Sequence, residues 1–493
     1  MRRSQRAEPV QNGPAMHMNS CDVQRWNWLL HQGTFGACHD TCNSPGPASM
    51  EFHLTQPSRS EKDSKGGTAG RRMSSKRRRR FSSGTVALLV CTVSFSLPRA
   101  QAYSVFTHQE LIDLAWNDSI RPLLLAKFPG ATEEQLREAH AYAYGGSAVQ
   151  DMGYYPFGKK FFSNLTHYVR SGDFVAWLLS NARSLDQYAF AVGALSHYLG
   201  DSIGHSQAIN RATAVEFPKL ANKFGTSVTY DESPHGHIRT EFAFDIAELS
   251  DFDFPSAAYM QYIGFKVPRP FLEEAFRKTY GFDIHEVLGR AHPALRSYRT
   301  AVRSFIPAIA EAEVVLHRHA FPPHADSQAD RVFRERLART AYERRWKHTQ
   351  KGPGVRAHLL AAVVFILPKI GPASDLAIKI PNPQTYEMYQ GSVNHTVDVF
   401  RDMLQTLRNT GDDVALVNID LDTGDHVKRG DYPLTDATYA QLLERLTAKP
   451  DRVIPAGTKR NILTYYGTMA ITDTPNSKRD EQLATLRIMK TSD

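Results

Sequence analysis

Apolar residues recur at helical spacing along most of the chain after residue 105, whereas the alternating pattern typical of strands is scarce. Two capping-box patterns, Thr107-x-x-Glu110 and Ser184-x-x-Gln187, each open an apolar-periodic run. The spacing predicts helices over residues 107–127, 133–144, 184–203, 237–249, 271–280, 294–318, 329–346 and 396–407. The sequence therefore predicts an all-α fold.

Pro322-Pro323 follows a long predicted helix and interrupts the helical backbone. We place a domain boundary there, between a helical domain over residues 103–322 and a mainly helical C-terminal region over residues 323–493. The role of the C-terminal region is not indicated by its sequence. Within it, nine apolar residues at 359–367 are followed at once by Pro368. A helix that spans a bilayer needs about 20 residues, so we expect a buried helix, with contact at a lipid surface as the alternative.

Residues 73–102 have the features of a secretory signal peptide. A basic run at residues 76–80 precedes an apolar stretch at residues 86–97, and Ala100-Gln101-Ala102 forms an A-x-A cleavage site. We therefore expect cleavage near Ala102 and a secreted or periplasmic protein. The pair Arg79-Arg80 leaves arginine-pair export open as an alternative to the general secretory route.

The polar residues 1–72 are either a disordered tail or an over-extended gene start.

The formal charge of +8 belongs to residues 1–102, here called the leader. The leader holds 15 Lys and Arg against 6 Asp and Glu, which leaves 44 against 45 in the other 391 residues. A nearly neutral body argues against long nucleic acid, which usually selects a basic track. We therefore expect no stable nucleic-acid partner.

The chain after residue 102 has no cysteine, so any metal must be held by His, Asp, Glu or main-chain groups. The densest set of such donors starts at His197. His197, Asp201 and His205 are spaced i, i+4, i+8 within a predicted helix, so their side chains share one face. Two imidazoles and one carboxylate in such a stripe are typical of zinc sites. The four cysteines of the leader are Cys21, Cys38, Cys42 and Cys91.

Further candidate donors lie on both sides of this stripe. His237 and Glu241 form a second i, i+4 pair, and His108, Asp151 and His167 lie upstream. Taken singly, each has an ordinary explanation as a core histidine, a helix cap or a surface ion pair. Together with the stripe they supply five histidines and three carboxylates, enough for more than one metal ion. Three later histidines are predicted to lack a carboxylate at helical spacing and to lie at the surface: His317, His319 and His324.

In chain order, these donors resemble the ligand series of the zinc-dependent phospholipase C family, which shares an all-helical fold with the fungal-type single-strand nucleases. The family series is the mature N-terminus, then His, Asp, His, H-x-x-x-D, His and H-x-x-x-E. This sequence fills every position in order, with Tyr103, His108, Asp151, His167, His197, Asp201, His205, His237 and Glu241. The resemblance covers roughly residues 103–321 and leaves the C-terminal region unexplained.

The resemblance implies three zinc ions. Asp151, His167, His197 and Asp201 would hold one ion; His205, His237 and Glu241 would hold a second; Tyr103, His108 and Asp201 would hold the third, with Asp201 as a bridge. Asp151 is also the implied catalytic residue, orienting or deprotonating the attacking water.

The first ligand of the family is the α-amine and carbonyl of a newly freed N-terminal residue, usually Trp. Cleavage after Ala102 would place Tyr103 in that position, five residues before His108. The ligand atoms belong to the main chain, so the change from Trp to Tyr should preserve coordination. An unprocessed chain would lack this ligand.

The resemblance thus implies a secreted trinuclear-zinc phosphodiesterase, a phosphoric ester hydrolase that cleaves phospholipid headgroups with metal-activated water. The implied partner is a phospholipid or another phosphodiester, with peripheral membrane contact. Two alternatives stay open: a single-strand nuclease or nucleotidase of the same fold, and a non-catalytic zinc-binding envelope protein.

An aromatic stretch after Asp151 bears on the substrate. Its rings could hold a quaternary ammonium headgroup by cation–π contact, stack a nucleobase, or simply belong to the core. The stretch comprises Tyr154, Tyr155, Phe157, Phe161 and Phe162, with Lys159 and Lys160 among them.

Overall fold

The structure is a computed structural model. It describes residues 105–155, 157–250, 257–289, 291–317, 326–345, 354–366, 379–412, 414–467 and 477–492. The described chain consists almost entirely of helices, which confirms the predicted all-α fold. The leader, the predicted cleavage site, Tyr103 and Pro322-Pro323 lie outside the described residues.

The part of the chain before the predicted boundary forms fourteen labelled α-helices among its described residues. They are α1 (Val105–Ala115), α2 (Arg121–Lys127), α3 (Glu133–Gly146), α4 (Lys160–Tyr168), α5 (Ser171–Asn181), α6 (Leu185–Gly204), α7 (Asn210–Glu216), α8 (Pro218–Phe224), α9 (Pro234–Ser250), α10 (Ala257–Ile263), α11 (Arg269–Tyr280), α12 (Ile284–Leu288), α13 (Ala291–Thr300) and α14 (Ile306–His317). A 3₁₀ turn at Gln150–Tyr154 precedes α4, and π turns at Trp116–Ile120, His205–Ile209 and Ala301–Phe305 join consecutive helices.

The described residues of the C-terminal region are also mainly helical, with one small parallel sheet. Its elements are α15 (Gln328–Leu337), α16 (Ala341–Arg345), α17 (Val355–Ile366), α18 (Pro383–Thr410), α19 (Pro433–Thr447), β1 (Ile454–Pro455), α20 (Ala456–Gly467), α21 (Ser477–Ile488) and β2 (Thr491–Ser492). Ile454 of β1 pairs with Thr491 of β2, and Pro455 pairs with Ser492.

Neither predicted capping box forms in full: the second forms its N-cap half, while the Gln187 side chain accepts from the Arg183 backbone N–H at 2.9 Å. The Ser184 side chain accepts a hydrogen bond from the Gln187 backbone N–H at the start of α6, as predicted. At the first site, α1 already begins at Val105. The Thr107 hydroxyl donates to the Asp245 carboxylate at 2.8 Å instead of capping its own helix. The prediction at Thr107 was wrong because a distant buried carboxylate competes for that side chain.

Helix α6 lies at the centre of the fold. It packs against α1, α3, α5 and α18, and every residue from 188 to 204 is buried. Its contact with α3 is backbone to backbone: a Cβ on Gly193 would lie 2.1 Å from the Ala143 carbonyl oxygen. A Cβ on Gly146 would likewise lie 2.0 Å from the Phe190 carbonyl oxygen. Glycine at both positions therefore permits a close helix pair, which fixes the residues that follow along α6.

Elements from both sides of the predicted boundary share one hydrophobic core. Helix α18 packs on α6 and α1, and α19 packs on α4. Phe400 of α18 and Leu442 of α19 belong to the same buried cluster as Tyr188 and Phe162. The division into two domains remains a prediction, but the C-terminal helices are part of the packing that holds the earlier ones.

Within the described part of the apolar run at 359–367, buried and exposed side chains occur together. Ala361 and Val364 of α17 are buried, whereas Leu359 is 69% and Phe365 is 77% exposed. The expectation of a buried helix therefore holds for one face alone. Among the described residues, no helix has the length and apolar character needed to cross a membrane.

Candidate metal centre

Six elements bring the eight described candidate donors together. The stripe predicted on one helix lies at the end of α6, with His205 opening the π turn. Helix α9 supplies His237 and Glu241. Helix α1 supplies His108, the 3₁₀ turn supplies Asp151, and α4 supplies His167. All eight side chains are at most 4% exposed.

Asp201 lies between several imidazoles. Its Oδ2 is 3.0 Å from His197 Nε2 and 3.2 Å from His167 Nε2, while its Oδ1 is 3.2 Å from His108 Nε2. The carboxylate therefore presents one oxygen to each of two donor groups. This is the arrangement that a bridging carboxylate requires.

Among the described residues, three sets of donor atoms lie close enough to hold metal ions, each with its atoms within 4.8 Å of one another. The sets are His108, His197 and Asp201; Asp151, His167 and His197; and His205, His237 and Glu241. In the third set, His237 Nε2 lies 2.8 Å and His205 Nε2 lies 3.7 Å from Glu241 Oε1. The predicted assignment of ligands to ions placed His197 with Asp151 and His167 alone. In the structure His197 also lies in the set of His108 and Asp201, so the assignment is matched only in part.

Main-chain carbonyls fix the orientation of two histidines. His197 Nδ1 lies 2.9 Å from the Ser147 carbonyl oxygen, and His167 Nδ1 lies 2.7 Å from the Ser163 carbonyl oxygen. A carbonyl only accepts, so Nδ1 donates and Nε2 is left to face the other donors. Ligating histidines are held in this way in metal sites.

The environment of the Glu241 carboxylate shows that the donor set fits a cation. Both of its carboxylate oxygens are buried and form no hydrogen bond. Burial raises the pKa of Glu241 well above its ordinary value. A buried carboxylate without donors is costly unless a cation neutralises it. The residues present therefore fit a divalent metal, and oxygen with imidazole nitrogen is a donor set that zinc accepts.

The protonation states of His108 and His237 are those that metal binding requires. Burial lowers the pKa of His108 and of His237, which keeps both imidazoles neutral. Burial would also lower the pKa of His167, but hydrogen bonds to Asp151 and Asp201 raise it to about 10. A neutral imidazole is the form that binds metal, so binding at His167 must release a proton.

Most of the aromatic stretch belongs to the core. Phe162 stacks on Phe276, and Tyr155 packs edge-on against Tyr298. Tyr154, 8% exposed, has its ring 5.8 Å from the His167 ring, and Phe157 is 72% exposed. Of the three explanations for this stretch, the core role applies to most of its rings.

One surface histidine departs from the sequence-based description. His317 Nε2 lies 3.3 Å from the Glu313 carboxylate, four residues earlier on α14, and its side chain is 32% exposed. The prediction that His317 lacks a carboxylate at helical spacing was therefore wrong. His319 and His324 lie outside the described residues.

Two buried carboxylates near the donors were missed at the sequence level. Asp245 accepts hydrogen bonds from the backbone N–H groups of Phe106 and Thr107, which holds the start of α1. Asp422, from the C-terminal region, has its Oδ1 2.9 Å from His205 Nδ1. Asp245 lies four residues after Glu241 on α9, so the sequence spacing could have predicted that both share one helix face. Asp422 lies in a turn, where no helical spacing relates it to another donor.

Comparison with known families supports the same chemistry. Residues 107–287 match the family model described as zinc-dependent phospholipase C. The resemblance drawn from the sequence is therefore confirmed over this segment, which contains all eight described donors. Searches of curated proteins and of solved structures gave no significant match. The family match and the donor sets together support a zinc phospholipase type of function.

Proposed function

We propose that the protein is a trinuclear-zinc phosphodiesterase that cleaves phospholipid headgroups in the manner of a phospholipase C. The observation that carries this proposal is the convergence of three buried donor sets within the segment matched by the family model. Two of the sets share His197, and Asp201 lies between imidazoles from both. This arrangement supports closely spaced ions rather than isolated ones.

Zinc held by these residues would supply an activated water and neutralise charge on the phosphate. The chain itself supplies position and proton transfer. The Oδ1 atom of Asp151 is buried and lies 3.3 Å from His167 Nε2. We assign to Asp151 the role of orienting or deprotonating the water. Asp201 keeps His108, His167 and His197 facing one another through both of its oxygens.

The proposal includes processing and a membrane substrate. Cleavage after Ala102 would free the α-amine of Tyr103 three residues before Phe106, whose backbone is tied to Asp245. We assign export to residues 73–102, and N-terminal sequencing of the exported protein should begin at Tyr103. We assign peripheral membrane contact to the exposed face of α17.

Product release tests the proposal. The zinc-loaded chain beginning at Tyr103 is given phosphatidylcholine vesicles and single-stranded DNA in parallel. We expect phosphocholine and no nucleotides. Nucleotides without phosphocholine would contradict the lipid substrate and assign the protein to the nuclease branch.

The burial of all eight described donors favours a second candidate, a zinc-binding protein whose site is closed to phospholipid. The variant Asp201→Asn separates the two: an enzyme loses turnover, whereas a binding protein shows only a stability defect. Asp113→Asn is the matched control, because Asp113 is buried on α1 but pairs with His140 and Tyr144 instead of the donor sets. Asp113→Asn should keep zinc and turnover per folded molecule.

A further inference from the structure

The segment 414–432, between α18 and α19, crosses the helices that carry the metal donors. The Ser171 hydroxyl at the start of α5 donates to the Ile419 carbonyl at 2.6 Å. The Leu421 backbone N–H donates to the carbonyl of His167, itself a candidate ligand, at 3.2 Å. The Tyr198 hydroxyl of α6 donates to the Val417 carbonyl at 2.7 Å. Three donor-bearing or adjacent helices therefore hold this segment in place.

Close approach holds the middle of the segment against α6. Gly424 has a φ of +78°, and a Cβ there would lie 2.7 Å from the Ser202 carbonyl oxygen. Asp420 accepts hydrogen bonds from the backbone N–H groups of Asp422 and Thr423, which folds the segment into a tight turn. The turn sets the direction of the Asp422 side chain.

Asp422 is buried and uses both of its carboxylate oxygens. Oδ1 accepts from His205 Nδ1 at 2.9 Å and lies 3.8 Å from His237 Nε2. Oδ2 accepts from the Tyr230 backbone N–H at 3.0 Å and from the Tyr432 hydroxyl. The Asp422 carbonyl accepts from the Asn210 side chain at 2.8 Å. The carboxylate is therefore fixed while it contacts a donor of the third set.

We propose that Asp422 is a positioning residue of the zinc site, and that residues after 322 complete this site. A carboxylate on His205 Nδ1 keeps the proton on that nitrogen and directs the unprotonated Nε2 toward Glu241. Carboxylate–histidine–metal arrangements of this kind raise the basicity of the ligand and fix its ring. The inference rests on the proposed zinc binding but not on the identity of the ester that is cleaved.

The test compares Asp422→Asn with Asp420→Asn in the exported full chain, stripped by a chelator and titrated with Zn²⁺. Asp420→Asn is the matched control, since the Oδ1 atom of asparagine can still accept from the backbone N–H groups of Asp422 and Thr423, which keeps the turn and the contact with His205. We expect Asp422→Asn to lower the affinity for one zinc ion by about 10–100-fold, which is the usual effect of removing such a partner. The control should bind zinc with the affinity of the wild type. The absorption spectrum of the Co²⁺-substituted protein should change in Asp422→Asn alone.

Tyr432→Phe provides a second variant if Asp422→Asn does not fold. It removes one donor to Asp422 Oδ2 and keeps the carboxylate, so its zinc affinity should fall less. Wild-type zinc affinity and an unchanged Co²⁺ spectrum in the Asp422 and Tyr432 variants would overturn the inference, as would an equal loss in Asp420→Asn.

The failure of this inference is distinguishable from that of the proposed function. A wild-type chain that binds no Zn²⁺ overturns both. A chain that binds Zn²⁺ and cleaves no phospholipid overturns the proposed function, while the affinity of Asp422→Asn still decides the role of Asp422.

Discussion

Among the candidate donors, the Glu241 carboxylate is buried in a way that lowers the stability of the metal-free protein. Its two oxygens are buried without a hydrogen-bond partner, and the nearby His237 Nε2, 2.8 Å from Oε1, belongs to an imidazole that burial keeps neutral. Most buried polar groups in proteins have such a partner, and the exceptions gather where function requires them. A buried carboxyl group without such a partner is the strongest sign, at the scale of one residue, that a cation belongs there.

Glu241→Gln should therefore separate stability from metal binding. Without zinc, we expect the free energy of unfolding to stay level or rise by about 1–3 kcal/mol. Burial raises the pKa of Glu241, so folding at neutral pH costs either a buried charge or the uptake of a proton, and an amide avoids both costs. With zinc, the variant should be less stable than wild type. Denaturant unfolding with chelator and with Zn²⁺ measures both.

Glu248→Gln is the control for this comparison, as Glu248 lies on the same helix but accepts a hydrogen bond from the Tyr386 hydroxyl at 2.7 Å. It should destabilise the protein equally with and without zinc. A Glu241→Gln variant that behaves in the same way would contradict a metal role for Glu241.

Residue types and spacing predicted the donors where the signal was local. His197 with Asp201, and His237 with Glu241, each share a helix face at i, i+4, and both pairs meet in the structure. Asp422 could not be predicted in this way. It is a carboxylate in a turn, without helical spacing to any donor and 217 residues from His205, and tertiary packing alone brings the two together.

At the scale of elements, helices were predictable and their interruptions were not. The predicted helix 107–127 is divided by a π turn at Trp116–Ile120, just before Pro122, whose ring and missing N–H disturb the helical hydrogen bonds. Helix α18 begins at Pro383 with Asn382 as its cap, well before the predicted start at 396. Its first half carries polar buried residues that weaken the apolar periodicity.

Helix α17 has an apolar face that its neighbours in the described chain leave exposed. Val355 is 88%, Leu359 is 69% and Phe365 is 77% exposed. The double variant Leu359→Ser and Phe365→Ser should bind phosphatidylcholine vesicles at least about 10-fold more weakly, because each apolar side chain contributes about 1.5–3 kcal/mol when buried. Vesicle co-sedimentation measures the effect.

Ile488→Ser is the matched control for the α17 variant. Ile488 is 82% exposed on α21, another C-terminal helix, and its loss should leave vesicle binding unchanged. Equal binding by the α17 variant and wild type would mean that this face does not contact lipid.

At the scale of the whole molecule, a charged contact joins the C-terminal region to the family-matched segment. Glu286 of α12 accepts from Arg452, with Nη1 at 3.0 Å, and from Lys449 Nζ at 3.0 Å. The hydrogen bond from Arg452 is the main cause that lowers the pKa of Glu286 to about 2. The C-terminal region is thus held by ion pairs in addition to the shared core.

This contact predicts a pH dependence. The folded-state pKa of Glu286 is below its ordinary value, so its contribution is complete above about pH 5 and is lost as pH falls toward 2. Glu286→Gln should cost about 1 kcal/mol or less near neutral pH, since the pair is partly exposed. The difference from wild type should shrink on acidification.

Glutamine at this position can still accept from the Asp283 backbone N–H, so the capping box of α12 is retained in the variant. Unfolding curves at a series of pH values provide the measurement. A stability difference that does not change between neutral pH and pH 2 would show that the charge of Glu286 has no part in docking.

The central claim is that these buried donors hold zinc, and anomalous diffraction at the zinc edge from the processed chain tests it most directly. We predict peaks at three positions: among Asp151, His167, His197 and Asp201; among His205, His237 and Glu241; and beside His108 and Asp201 at the freed N-terminus. Peaks confined to the molecular surface, with none at these donors, would contradict the account.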